Sequence, residues 1–322
     1  MSMRSDHWLH NTFAFIRDAC RTPTASHARG MKLAPNTSGY TVLAALRSAA
    51  FHILRMAWHT PAMTRTRQGA RLGQHFLTSK GAAVKLAQAA GVGPGVTVVE
   101  VGPGKGFLTR ELLALGGHVL AIEKDEALAA ALPELMNSPN LQVITGDVRD
   151  FPPQQHGLSA GEYVVAANIP YYITGEIIRS FLESAAQPRT MALLIQKEVA
   201  ERIVARDGKE SILSLSVKAY GTPRIVTKVG RGSFNPPPSV DSAVISIDNI
   251  SRSFFDGLDE KYFFNVLHAG FASKRKKLGG NLAKVYGAKA KEALAAAGLD
   301  ENVRAEDVSI TEWHKIADFL AQ

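Results

Sequence analysis

Five short apolar runs alternate with helix-forming segments in the middle of this chain, and this alternation restricts the fold more than any other feature. The runs, rich in Val, Ile and Leu, are residues 96–101, 118–122, 141–144, 163–167 and 191–195. The helix-forming segments are 107–115, 126–136 and 174–185. Near-continuous apolar strands that alternate with helices indicate a parallel sheet covered on both faces. The sequence therefore predicts a doubly wound α/β domain.

A polar side chain stands at the end of each of the first four runs. These residues are Glu100, Glu123, Asp147 and Asn168, each about one strand–helix unit from the next. One polar residue at a strand end is more often a helix cap or a turn residue. In open α/β sheets, however, ligands bind outside the carboxyl ends of the strands, where the strand order reverses. Four such residues in step predict a ligand site along one edge of the sheet.

The loop after the first strand, Gly102-Pro103-Gly104-Lys105-Gly106, narrows the class of ligand. Glycines let the backbone approach a ligand closely. A nicotinamide cofactor requires G-x-G-x-x-G, but Phe107 occupies the place of the third glycine and Pro103 removes an amide donor. A dehydrogenase is therefore disfavoured, whereas a ligand with an amino acid moiety suits this loop.

The acids around the loop favour S-adenosylmethionine over NAD. The ammonium group of an amino acid moiety can meet Glu100 or nearby carbonyls. Glu123 lies about 20 residues further on, where an acid binds both ribose hydroxyls. Asp147 can accept a hydrogen bond from an adenine amine.

The tetrapeptide Asn168-Ile169-Pro170-Tyr171 is suited to gripping a planar base by its amino group. The Asn168 carboxamide oxygen and the Ile169 carbonyl can each accept a hydrogen bond from an exocyclic amine. Pro170 fixes its own φ and removes a competing donor, and Tyr171 offers a ring for stacking. Taken alone, the tetrapeptide fits an ordinary Asn/Pro turn equally well.

The net charge of +8 lies entirely in the N-terminal part of the chain. The first 71 residues hold ten Lys or Arg against two Asp, and the remainder is neutral. Any contact with a polyanion therefore depends on local clusters. The run Lys274-Arg275-Lys276-Lys277, after the aromatic helix segment 262–264, is one candidate, and a solvated helix end explains it as readily.

Residues 1–62 are predicted to lie outside the fold, as a basic N-terminal extension. Their composition is typical of a transit-type presequence or a basic arm, and a translation start at Met63 is a third interpretation. The stretch Val42–Trp58 is too broken by charge to span a membrane, which predicts a soluble chain.

Cysteine and histidine usage excludes several site classes. The single cysteine, Cys20, excludes an internal disulfide and a cysteine-based zinc site. The ten histidines show no metal-ligand spacing, so no metal is expected. His75 and His118 are interpreted as a loop residue and a core residue.

Six motifs, in order and spacing, resemble the KsgA/RsmA-type ribosomal RNA adenine dimethyltransferases. They are Gly73–Leu77, Glu100–Thr109, Gly146–Asp147, Asn168–Tyr172, Gln196–Arg202 and Phe234–Val244. The resemblance covers about residues 68–320. It implies a Rossmann-like class I methyltransferase domain with a small all-α C-terminal domain. It also implies transfer of two methyl groups to each of two adjacent adenines near the 3′ end of small-subunit rRNA.

The resemblance also implies a role for each motif residue at the cofactor, S-adenosylmethionine. The contacts are Gln74, Phe76 and Leu77 at the methionine part, Glu100, Gly102 and Gly104 at the amino acid portion, Glu123 at the ribose, and Asp147 and the Val148 amide at the adenine. Asn168 is a further cofactor contact.

The target adenine, by the same resemblance, is held by the tetrapeptide. Asn168 and the Ile169 carbonyl would bind the amine, with Pro170 stiffening the loop. Tyr171 would stack on one face of the base, with Phe234 on the other face or near the sulfonium. The run Lys274–Lys277 becomes a candidate RNA contact.

The predicted organisation is residues 1–62 as the extension, 63–250 as the methyltransferase domain and 251–322 as the helical domain. The expected partner is small-subunit rRNA in a pre-ribosomal particle, bound by a monomer. The expected compartment is the cytoplasm, or the mitochondrion if residues 1–62 are a cleaved presequence. The segment Arg206–Lys209 has no clear counterpart in the family pattern.

Two other functions remain open at this stage. Antibiotic-resistance methyltransferases of large-subunit rRNA share the Asn-Ile-Pro-Tyr signature, but Gly102–Thr109 and Pro236–Ser242 favour the KsgA type. Some mitochondrial relatives act as transcription factors. The intact tetrapeptide Asn168–Tyr171 argues against loss of catalysis without excluding a second role.

Overall fold

The structure, a computed structural model, describes residues 75–322. The predicted extension and Gln74 lie outside the described residues. The strands are β1 (Phe76–Leu77), β2 (Thr97–Val101), β3 (His118–Glu123), β4 (Leu141–Thr145), β5 (Tyr163–Asn168), β6 (Thr190–Gln196), β7 (Thr222–Val229), β8 (Phe234–Asn235) and β9 (Ser242–Asp248). The helices are α1 (Lys80–Ala89), α2 (Phe107–Ala114), α3 (Glu126–Met136), α4 (Thr174–Leu182), α5 (Lys197–Val204), α6 (Ile212–Lys218), α7 (Glu260–Gly270), α8 (Leu278–Tyr286), α9 (Lys289–Ala296) and α10 (Ile310–Ala321).

Seven strands form one sheet in the order β4-β3-β2-β5-β6-β9-β7. The first five in this order are parallel, and β9 pairs antiparallel with both β6 and β7. The order reverses between β2 and β5, where Glu100 pairs with Ala166. Asn168 therefore ends its strand at the same edge as Glu100, and the predicted α/β fold is confirmed.

The sequence did not indicate β7 and β9, the last two strands in the order of the seven-stranded sheet. β7 carries exposed polar residues and Pro223 on a half-buried strand, a pattern typical of a sheet edge and harder to recognise than a buried run. Helix α4 ends at Leu182, three residues earlier than predicted. His118, which was expected in the core, is exposed at the start of β3.

Two apolar clusters cover the two faces of the sheet. One joins α1 and α2 to sheet residues such as Val98 and Val164. The other runs from Val99 and Val165 through to Phe263 and Trp313 in the C-terminal helices. The C-terminal helices thus share a continuous core with the sheet, and a domain boundary at residue 250 stays a prediction. Across residues 75–322, no helix is long and apolar enough to cross a membrane.

Gly270 is the last residue of α7, and a substitution there tests how tightly this shared core is packed. A methyl group at this position would overlap the Trp313 ring and lie 2.8 Å from Leu278 Cδ1. We expect Gly270→Ala to lower the free energy of unfolding by about 1–3 kcal/mol, because inserted volume in a filled core forces neighbours aside. Urea denaturation followed by circular dichroism measures this change.

Gly280→Ala is the matched control for this substitution. Gly280 lies in α8, and nothing is within 4 Å of a methyl group built there. Alanine should leave stability unchanged or raise it by up to about 1 kcal/mol through helix propensity. Equal effects of the two substitutions would contradict the packing described for Gly270.

Candidate functional site

A cavity of about 520 Å³ opens at the carboxyl edge of β2, β3, β4 and β5. Its volume lies within the range of small-molecule sites. Most of the residues predicted for the site line it. They are Phe76, Leu77, Glu100, Gly102, Gly104, Glu123, Asp147, Val148, Asn168, Pro170 and Tyr171.

Glu100 lies at the floor of this cavity with 1% of its surface exposed. Neither carboxylate oxygen has a hydrogen-bond partner among the described residues, and the Thr109 hydroxyl has none either. Burial raises the pKa of Glu100 to about 8, although nearby Thr109 groups oppose part of this rise and Glu123 adds to it. Buried polar groups are normally hydrogen-bonded. A buried acid without a partner in a cavity therefore marks a site that can accept a cationic ligand group.

Glu123 holds the glycine loop against the end of β3. Its Oε2 accepts a hydrogen bond from the Gly104 N–H at 3.0 Å, and its Oε1 accepts one from the Asp125 N–H at 2.9 Å. Gly104 has a φ of +55°, and a Cβ there would lie 3.0 Å from Phe76 Cε1. Only glycine fits this position, because the backbone conformation and the ring both exclude a side chain.

Asp147 is enclosed by two cations that the sequence did not single out. Its carboxylate accepts hydrogen bonds from Lys124 Nζ at 3.0 Å and from the Arg149 N–H, Nε and Nη2 at 3.0, 3.0 and 2.5 Å. Arg149 holds the pKa of Asp147 far below its usual range. A carboxylate has about four lone-pair sites, and these donors fill them. A ligand amine can bind Asp147 only after one of them moves.

The Asn168 side chain is oriented by the backbone of His75. Asn168 Nδ2 donates to the His75 carbonyl oxygen at 3.1 Å, which leaves the carboxamide oxygen free to accept. The Ile169 N–H donates to the Leu194 carbonyl at 3.3 Å, which ties the tetrapeptide to β6. Pro170 follows with a φ of −56°. The predicted tetrapeptide thus forms a fixed loop at the cavity.

Tyr171 is anchored from two sides. Its hydroxyl shares a hydrogen bond of 2.7 Å with the buried Ser242 Oγ, and its ring centroid lies 5.9 Å from that of His75. Burial raises the pKa of Tyr171. His75 Nδ1 in turn donates to the Pro236 carbonyl at 2.8 Å. His75 joins three motif segments in this way, although the sequence indicated only a loop residue.

The structure does not bring Phe234 to the cavity. Phe234 pairs with Leu77 in the two-stranded ladder of β1 and β8, and only 4% of its surface is exposed. Its ring packs in the apolar cluster that contains Leu77 and Val229. The contact of Phe234 with the target base therefore stays a prediction, because its ring is buried beside Leu77, which itself lines the cavity.

The basic run lies in the loop between α7 and α8, and all four of its side chains are exposed. Lys277 bonds through Nζ to Asn302. Within residues 75–322, Lys274, Arg275 and Lys276 form no ion pair. Lys274 also lines a second cavity of about 890 Å³ beside α5. The run is therefore available to a partner, as an exposed cluster.

Sequence comparison relates the chain to one family over most of its length. The pattern of the family described as "Ribosomal RNA adenine dimethylase" matches residues 65–322. Ribosomal RNA small subunit methyltransferase A of Dehalococcoides mccartyi is 42% identical over 249 residues, which covers 76% of this chain and 86% of the relative. The enzyme of the same name from Moorella thermoacetica is 41% identical over 261 residues, covering 77% and 91%.

Two solved structures share the fold. The 23S rRNA methyltransferase ErmE superposes with a TM-score of 0.65 at 26% identity, covering 77% of this chain and 100% of ErmE. A dimethyladenosine transferase from Plasmodium falciparum gives a TM-score of 0.62 at 26% identity, covering 75% and 96%. Both support a class I methyltransferase fold.

The raised pKa of Glu100 predicts a pH-dependent gain in stability for Glu100→Gln. The folded protein binds the Glu100 proton more tightly than the unfolded chain, so the stability that this group contributes is present below pH 4.5. It is lost as the pH rises to about 8. Glutamine does not ionise, so the variant does not lose stability in this way as the pH rises. The variant should therefore become more stable than the wild type by a few kcal/mol, about 1.4 per pKa unit.

Denaturant unfolding at several pH values between 5 and 9, without ligand, measures this difference. Glu134→Gln, at an exposed position on α3, is the control and should show a constant difference from the wild type. A Glu100→Gln difference that does not grow with pH would mean that the carboxyl is not held protonated.

Proposed function

We propose a function from the family of this chain, which belongs to the ribosomal RNA adenine dimethylases. The chain transfers methyl groups from S-adenosylmethionine to two adjacent adenines near the 3′ end of small-subunit rRNA. One observation carries this conclusion at the site. The Asn168 carboxamide, fixed by the His75 carbonyl, lines the same cavity as the unpartnered carboxyl of Glu100.

The residues of the cavity fit the cofactor. Glu100 offers two unpaired oxygens to the ammonium group of the cofactor. The positive charge of that group would lower the pKa of Glu100, so that the carboxyl would ionise. Glu123 lies at the end of β3, where an acid can accept from the ribose hydroxyls. Asp147 would bind the adenine amine once a hydrogen bond from Arg149 or Lys124 breaks and frees one of the carboxylate lone pairs. The cofactor, when bound, supplies an electrophilic methyl group on a sulfonium.

The tetrapeptide makes the adenine amine a better nucleophile. The lone pair of this amine is delocalised into the ring, which makes it weak. The Asn168 oxygen and the Ile169 carbonyl, as two acceptors, would draw the amine toward a tetrahedral geometry and localise the lone pair. Neither acceptor is basic at neutral pH, so the proton released at each transfer passes to water. Positioning of this kind supplies about 7–11 kcal/mol at best.

The anchored ring of Tyr171 supports this geometry. A target base must leave its stack, which costs a few kcal/mol. Stacking on an aromatic ring offsets about 1–3 kcal/mol of this cost. Because Tyr171 is tied to Ser242 and packed on His75, its ring is fixed before a base arrives.

The small subunit is favoured over the large subunit by sequence similarity. The relatives at 41–42% identity carry the name of small-subunit enzymes, whereas ErmE is 26% identical. We further propose a monomer acting in the cytoplasm on a small subunit under assembly, with the domain boundary near residue 250. These finer points rest on the resemblance described above.

A methylation assay tests this function directly. Unmethylated small subunits are incubated with isotopically labelled cofactor, and the digested RNA is analysed by mass spectrometry for dimethyladenine. Large subunits serve as the comparison substrate. Labelling confined to two adjacent small-subunit adenines is expected. No dimethyladenine, or equal labelling of large subunits, contradicts the assignment.

Asn168→Ala isolates the contribution of the base grip in the same assay. We expect a loss of transfer of at least about 100-fold, because one of two preorganised acceptors for the amine is removed, while cofactor affinity by calorimetry survives. Asn265→Ala, an exposed position on α7, should behave as wild type. Retained transfer by Asn168→Ala would refute the proposed grip.

The basic run predicts a salt-dependent contact with RNA. Replacing Lys274, Arg275 and Lys276 by alanine should weaken binding to small subunits and flatten its dependence on salt. Each lost phosphate contact should change the slope of log K against log salt by roughly 0.7–0.9. Filter binding between 50 and 200 mM salt measures this slope.

Lys277 is left unchanged in this variant because it bonds to Asn302 and precedes α8. Lys284→Ala, an exposed lysine within α8, is the control for charge removal. An unchanged slope in the triple variant would show that the run does not contact phosphate.

A further inference from the structure

Tyr172 is an exposed aromatic ring at the cavity. Among the described residues, four large apolar side chains are exposed, namely Leu135, Tyr172, Val240 and Val285. Of these four, Tyr172 lines the cavity that holds Asn168, and 57% of its surface is exposed. An exposed ring beside a site built for an RNA base differs from the scattered apolar residues found on any protein surface.

The other described tyrosines are all held by the protein. Four of them bond through the hydroxyl, and the fifth packs against a ring. They are Tyr163, Tyr171, Tyr220, Tyr262 and Tyr286. Within residues 75–322, the Tyr172 side chain forms no hydrogen bond and no ring contact, and Arg149 is a charged neighbour. Unlike the other five, its ring is therefore not held by a hydrogen bond or by another ring.

The backbone explains why the two neighbouring tyrosines differ. Tyr171 and Tyr172 lie in a turn of 3₁₀ helix, Tyr171–Ile173, in which successive side chains point about 120° apart. Tyr171 points toward Ser242 and His75, so Tyr172 points away from them, outward at the cavity. The turn thus presents one fixed inner ring and one free outer ring.

We propose that the Tyr172 ring is a stacking platform for the nucleotide base next to the adenine held at Asn168. This proposal rests on the function given above. When an adenine enters the cavity, its neighbour along the RNA loses a stacking partner and emerges beside the entrance. A flat, exposed ring that is not stacked on another ring recovers that stacking for any base, and a purine stacks better than a pyrimidine. The two adjacent adenines then alternate between the cavity and the platform.

A double-mutant cycle between the protein and the RNA tests this platform. The protein variants are Tyr172→Ala, Tyr172→Phe and Tyr172→Leu, with Leu135→Ala as the control at an equally exposed position, 54%, away from the cavity. The substrates are unmethylated small subunits carrying both adenines, or one adenine and one uridine. Methylation of the remaining adenine is followed by mass spectrometry, and subunit affinity by filter binding.

Tyr172→Ala is expected to lower kcat/KM between about 5-fold and 150-fold through a higher KM, the range that base–aromatic stacking supports. Tyr172→Phe should stay within about 2-fold of wild type, because the hydroxyl forms no hydrogen bond among the described residues, and Tyr172→Leu should fall between. Cofactor affinity and melting temperature should be unchanged, within about 2 °C for the latter. Replacing the neighbouring adenine by uridine should weaken the wild type but not Tyr172→Ala.

Three results would overturn the platform. They are wild-type kcat/KM in Tyr172→Ala, an equal uridine penalty in both proteins, and a loss that follows weaker cofactor binding. A wild-type protein that methylates neither adenine would contradict the proposed function instead. Subunit affinity then still decides the platform, because equal binding by wild type and Tyr172→Ala overturns it.

Discussion

A carboxyl group buried without a partner is the constraint around which this site is arranged. Glu100 lies in the central strand β2, where the order of the sheet reverses, and the loop that follows it must leave the strand without covering the acid. Gly104 meets this requirement by bonding to Glu123 and packing under Phe76. The cavity therefore keeps an unsatisfied acid at its floor, a state that favours a cationic ligand.

The target side of the site depends on a second small network. His75 accepts from Asn168, packs on Tyr171 and donates to Pro236, so three segments distant in sequence hold one loop in place. Rigidity matters here because the proposed chemistry uses orientation rather than a strong base. Tyr172 lies outside this network, which leaves its ring available for the proposed stacking.

The sequence predicted most of the fold and the edge of the sheet that carries the site. Buried parallel strands have a distinct apolar pattern, and polar residues at their ends, such as Glu100 and Asn168, must meet at one edge. Contacts that depend on a side chain's direction could not be predicted. Arg149, two residues after Asp147, turns back to donate to its carboxylate. The pairing of β8 with β1 buries the ring of Phe234.

The central claim is that the buried carboxyl of Glu100 binds a cationic group of the ligand. Proton release on cofactor binding tests it. Calorimetric titration with S-adenosylhomocysteine, in buffers that differ in ionisation enthalpy, counts the protons exchanged. With a pKa of about 8, Glu100 is mostly protonated at pH 7. The wild type should then release close to one proton at pH 7, where the ligand's amino group is already mostly protonated, and Glu100→Gln should release almost none. No release by the wild type at pH 7, or the same release by the variant, would contradict the account.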